Sequence, residues 1–110
     1  MLAELRALAL HASSVAGVSS PKTMDAVAVS DHQAAETVLS GALVNDHAPV
    51  YVIKLTGGRF TALRHPPGVL AAQGNVLTIT VDAATHLVTD VCYVDVEPDL
   101  SQVGPTKISL

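Results

Sequence analysis

Five histidines stand in this chain of 110 residues, at positions 11, 32, 47, 65 and 86. Paired imidazole ligands usually fall at i, i+4 on a helix or i, i+2 on a strand. His11, His32, His47, His65 and His86 show neither spacing, so they read as isolated surface residues at element ends and in loops. Cys92 is the only cysteine and has no partner for an intramolecular disulfide. Its place in an apolar strand pattern reads as a buried thiol with no base beside it. The serines include no Gly-x-Ser-x-Gly elbow, and no Cys-His arrangement stands out, so no nucleophile is assigned. Carboxylates for acid–base work would have to come from Asp82, Asp90, Asp95, Glu97 or Asp99. They fall on strand ends and in the tail, where a solvated rim is expected. Gly57-Gly58 lacks the following helix and lysine of a phosphate-cradling loop and reads as a hairpin turn. No catalytic residue, metal ligand or cofactor-binding residue is assigned. No cofactor is expected, and the chain reads as a non-enzyme.

The elements that would carry these residues follow from apolar periodicity. Leu2, Leu5, Leu8 and Ala9 are spaced for an amphipathic helix over residues 2–12. Ser13, Ser14, Gly17, Ser19, Ser20 and Pro21 follow as a linker. The leucine face must be buried, either on the domain or against another copy. Ala26 to Val29 form a short strand. Ser30 and Gln33 have the spacing of a capping box for a helix with apolar face Ala34, Ala35, Val38 and Leu39, closed by Gly41. His32, Glu36 and Thr37 then face elsewhere. Val50 to Leu55 read as a largely buried central strand, returning through the Gly57-Gly58 turn as Arg59 to Leu63. His65-Pro66-Pro67-Gly68 breaks that strand. Residues 75–82 alternate, with Leu77, Ile79 and Val81 opposite Thr78, Thr80 and Asp82, as in a half-exposed antiparallel strand. Residues 83–86 make a tight connection to a returning strand at 87–94. The tail is extended and suited to covering a sheet edge.

The expected fold class is α+β: an antiparallel sheet of about four to five strands on one short capped helix, with an additional N-terminal helix. Residues 1–20 form the N-terminal helix and linker, and residues 21–110 a single α+β domain. Composition excludes several functions. Ten acidic against six basic side chains and three aromatics (Tyr51, Phe60, Tyr93) fit neither a phosphate-tracking surface nor a base-stacking one, so no nucleic-acid partner is expected. No apolar run approaches the roughly 18 residues of a membrane-spanning helix. The first 16 residues lack the order of a signal peptide.

The segments Ser30-Asp31-His32-Gln33-Ala34-Ala35-Glu36, Val50 to Leu55, Leu77 to Thr85 and Leu87 to Asp90 together resemble a PepSY-like domain over about residues 25–105. The wider pattern, with Gly58, Phe60, Pro67-Gly68, Leu100-Ser101 and Gly104-Pro105, also looks like small actinobacterial secreted proteins. The resemblance implies a PepSY/cystatin-like fold and an extracytoplasmic setting. It also implies regulation of peptidases or sensing through surfaces, and carries over no catalytic residues. His86 departs from the pattern, standing where the family has glycine at a left-handed position of the last hairpin.

Residues 50–53 and 91–94 are apolar on both faces, more than one helix can cover. The expected function is a non-enzymatic binding or regulatory module acting through its sheet, on a protein partner or on itself as a homodimer or higher oligomer. Tyr51, Ile53, Phe60, Pro66, Pro67 and Tyr93 form the candidate interaction surface. The alternative is a small-ligand or metal-binding domain with a pocket between helix and sheet.

Overall fold

The apolar run at 50–55 is the middle of one long strand, β2 (Val50–Thr61), around which the sheet assembles. The computed structural model describes residues 2–39, 47–62, 67–96, 98 and 107–110. Ahead of β2 come α1 (Leu2–Val15), β1 (Thr23–Val29) and α2 (His32–Leu39). After it come β3 (Gln73–Asp82), β4 (Val88–Val94) and a short segment, β5 (Lys107–Ser109). The four long strands lie in the order β4-β3-β2-β1, all antiparallel, and β5 pairs with β1 through Asp25 to Val27.

The side-chain period of two divides the sheet into two faces. Register places Ala26, Ile53, Ile79 and Val91 in one row, and Val27, Val52, Thr80 and Asp90 in the next. On the first face, Ala26, Ile53, Leu55, Leu77, Ile79 and Val81 are fully buried beneath Leu5, Ala9 and Ala16. Thus α1 docks on the sheet, and its apolar stripe at Leu5 and Ala9 closes the main core on that side. On the second face, Val27, Val29, Val50 and Val52 pack with Ala35 of α2. The sheet is covered on both faces, one helix to each. β3 is therefore not half-exposed: Thr78 and Thr80 are 3% and 2% exposed. Their alternation with Leu77, Ile79 and Val81 separates two buried layers rather than core from solvent.

The end of α1 is built by Gly17 at φ +92. The Val18 amide reaches Ser13 O at 2.9 Å and the Gly17 amide reaches Ser14 O at 3.0 Å, which closes the last turn in a Schellman motif. This link then crosses β2, with the Thr61 amide on Ala16 O and the Lys22 amide on Thr56 O.

Gly57-Gly58 is not a hairpin turn. The strand runs straight through it, with only a register shift between Thr56 and Phe60 against β3. The physical reason is the crossing link. A Cβ on Gly57 would lie 2.4 Å from the Lys22 amide nitrogen, and one on Gly58 would lie 2.7 Å from the Val18 side chain. Gly57 also sits at φ +106. The glycines make a bulge that lets another segment pass close by, a use of glycine as general as the turn.

The β3–β4 hairpin places His86 at φ 60, the only non-glycine residue at positive φ among the described residues. Asp82 Oδ1 accepts from the amides of Ala84 and Thr85, each at 2.9 Å, which shapes the turn. The turn thus has a left-handed position, and histidine occupies it. Its Nδ1 lies 2.5 Å from Glu4 Oε2, tying the turn to α1.

Candidate functional site

The second sheet face carries the densest group of titratable side chains. Asp31 precedes the first turn of α2, and its Oδ1 accepts from the amides of Gln33 at 3.0 Å and Ala34 at 3.4 Å. The N-cap is therefore Asp31 rather than Ser30, one residue later than the capping-box spacing suggests. Starting the helix at His32 turns His32, Ala35 and Glu36 toward the sheet and leaves Ala34 exposed. His32 and Glu36, expected to face elsewhere, are 4% and 2% exposed. The remaining residues of the expected apolar face, Val38 and Leu39, and the expected cap Gly41 lie outside the described side chains and residues.

The two buried groups meet β3 and β4. His32 Nε2 lies 2.5 Å from Asp90 Oδ2 and 3.9 Å from Glu36 Oε1. The Thr80 hydroxyl donates to Glu36 Oε1 at 2.8 Å, and the Thr89 hydroxyl donates to Asp90 Oδ2 at 2.7 Å. One ligand-type atom from each of His32, Glu36 and Asp90 falls within 4.8 Å of the other two. Asp90, expected on a solvated rim, keeps 28% side-chain exposure and is the cluster's contact with solvent. Cys92 follows it on the same face of β4. Cys92 is part-buried rather than enclosed, and burial first, then the charge of Glu36, push its thiol above the ordinary range.

Two of the other histidines form separate pairs with carboxylates, His47 with Asp31 and His86 with Glu4. His47 Nδ1 donates to both Asp31 oxygens at 3.1 Å. That bond, helped by the α2 amides, holds the Asp31 carboxyl below its usual range. Arg59 does the same for Asp95 across the bulge.

Of the residues expected to form an interaction surface, Ile53 and Phe60 are fully buried and cannot contact a partner. Both lie in the α1 layer, because α1 occupies the face that seemed to lack a cover. Tyr51 and Tyr93 pack at the margin of the same layer, half-buried. Pro67 is exposed, and Pro66 lies outside the described residues. Apolar exposure instead gathers around β4: Leu87 at 66%, Val88 at 41%, Val91 at 43% and Val96 at 82%. β4 ends the sheet, and among the described residues no strand pairs with its outer side. An apolar groove beside α1 is lined by Glu4, Ala7, Leu8, His11 and His86.

The cluster left one usable mark in the sequence. His32 and Glu36 have the i, i+4 spacing of two side chains on one helix face, a relation that a comparison of histidines with histidines passes over. Nothing local joins Asp90 to them, since it lies 58 residues from His32. The chain matches no family model, no curated protein and no solved structure. The structure itself defines it as an α+β domain of helix, antiparallel sheet and helix. No helix of the described residues is long and apolar enough to cross a membrane.

Proposed function

We propose that this protein is a non-enzymatic binding module that acts through the outer edge of β4, pairing there with β4 of a second copy. The observation that carries this reading is the concentration of exposed aliphatic side chains, Leu87, Val88, Val91 and Val96, on and beside a terminal strand. An edge strand presents unpaired N–H and C=O groups, and natural proteins usually guard such edges with lysine, proline or a covering element. β4 reads Val-Thr-Asp-Val-Cys-Tyr-Val, with neither guard residue. Antiparallel pairing about a two-fold axis would extend the sheet and bury the valines of both copies in one self-complementary interface. The buried cluster fits the non-enzymatic side of the reading, because His32 and Glu36 turn inward onto Asp90 and Thr80 and both are shielded from solvent. A role through surfaces is also what the PepSY-like resemblance implies.

Sedimentation velocity over a concentration series tests the pairing. A dimer is expected at the higher concentrations, and Val91→Lys should shift it to monomer without altering the circular dichroism spectrum. A wild-type chain that remains monomeric throughout the series refutes it.

A further inference from the structure

We infer that His32, Glu36 and Asp90 form a binding site for a divalent transition-metal ion of the zinc class. Two carboxylates and one imidazole converge on the second sheet face, and a divalent cation accepts donors of both kinds, the imidazole as a neutral ligand.

Geometry points the same way. The three donor atoms come from two elements, successive turns of α2 and β4, and lie within 4.8 Å of one another. Tetrahedral zinc with N and O ligands near 2.1 Å separates its ligand atoms by about 3.4 Å. The 3.9 Å between His32 and Glu36 would close slightly and the 2.5 Å between His32 and Asp90 would open. Side-chain rotation supplies movements of this size without moving the backbone. The orienting groups are already in place, with the Thr80 hydroxyl on Glu36 and the Thr89 hydroxyl on Asp90. Outer hydrogen bonds of this kind aim carboxylate ligands at a metal. One imidazole with two carboxylates suits zinc or manganese better than a soft, thiolate-seeking ion. The partly exposed Asp90 gives an ion a route in from the β4 edge.

The test is titration of the purified full chain with Zn2+ in competition with a chromophoric chelator, at protein concentrations where the chain is monomeric. This keeps the outcome independent of strand pairing. One equivalent should bind, with a rise in melting temperature. Asp90→Asn should weaken binding at least about tenfold. It preserves side-chain shape and an acceptor for His32, so the variant is expected to fold. Glu36→Gln is the second variant, and circular dichroism checks both. A chain with His11, His47, His65 and His86 all changed to alanine should bind as wild type. No Zn2+ binding by the wild type overturns the inference. So does binding that survives both carboxamide variants, or binding that disappears with the four other histidines.

Discussion

Replacing Thr80 by valine should destabilise the protein, although valine is isosteric with threonine and more apolar. Thr80 is 2% exposed and its hydroxyl donates to Glu36 Oε1 at 2.8 Å. A hydrogen bond to a carboxylate contributes about 1.5–3 kcal/mol, mostly through the cost of leaving a buried acceptor unmet. The added methyl returns about 0.8 kcal/mol. The expected net loss is therefore about 1–2 kcal/mol. With a urea m-value of about 1–2 kcal/mol/M, the unfolding midpoint should fall by about 1 M at unchanged m. The sharper measurement is a double-mutant cycle with Glu36→Met, which removes the acceptor while keeping length and volume. In that background Thr80→Val should be neutral or mildly stabilising, because no carboxylate remains to be satisfied. The coupling should exceed about 1 kcal/mol, well above the 0.3–0.5 kcal/mol scatter of independent sites. A wild-type midpoint for Thr80→Val, or additivity in the cycle, would refute the claim that the second layer is held together by polar contacts.

Three further outcomes follow from individual positions. Gly57→Ala places a side chain at φ +106 against the Lys22 backbone and should cost at least about 1–2 kcal/mol; Gly58→Ala meets only the Val18 side chain and should cost less, both read as midpoints in urea. His86→Gly relieves the left-handed backbone, worth about 1–2 kcal/mol, and loses an exposed contact with Glu4 worth about 0–1 kcal/mol. Its melting temperature should be unchanged or raised, and a marked fall would give the imidazole a structural role. Asp31 and Asp95 are both held below the usual carboxylate range, by His47 and Arg59 respectively. A depressed carboxyl stabilises the fold above its unfolded value and loses that contribution as pH falls through the folded one. Stability measured between pH 5 and 2 should therefore decline less steeply in Asp31→Asn and Asp95→Asn than in the wild type.

Much of the fold is legible in the sequence, because its strands obey the period of two and its helices the period of 3.6. Val50 to Leu55 announces a central strand, and Leu5 and Ala9 announce the stripe by which α1 docks. The positive φ at His86 was visible as a histidine in a turn that wants glycine. Gly57-Gly58 was not legible, since a glycine pair signals close approach as well as a turn. What approaches it is Lys22, a residue placed only once the sheet is assembled. Tyr51 and Ile53 could be assigned to opposite or equal burial only after α1 had been given a face.

The candidate site was hidden for a related reason, and it shows what polar residues in a strand can mean. Alternation of Leu77, Ile79 and Val81 with Thr78, Thr80 and Asp82 is usually taken to separate core from water. The same pattern arises when the second face is buried beneath a helix that itself brings polar groups inward. A threonine in such a layer needs a partner, and Glu36 supplies one to Thr80. His32, one turn before Glu36, in turn needs a partner, and the next strand supplies Asp90. Each buried polar group thus requires the next, so the layer stands or falls as a unit. An apolar replacement of the whole set, His32, Glu36, Thr80 and Asp90 together, is accordingly expected to disturb the fold less than loss of any one buried member.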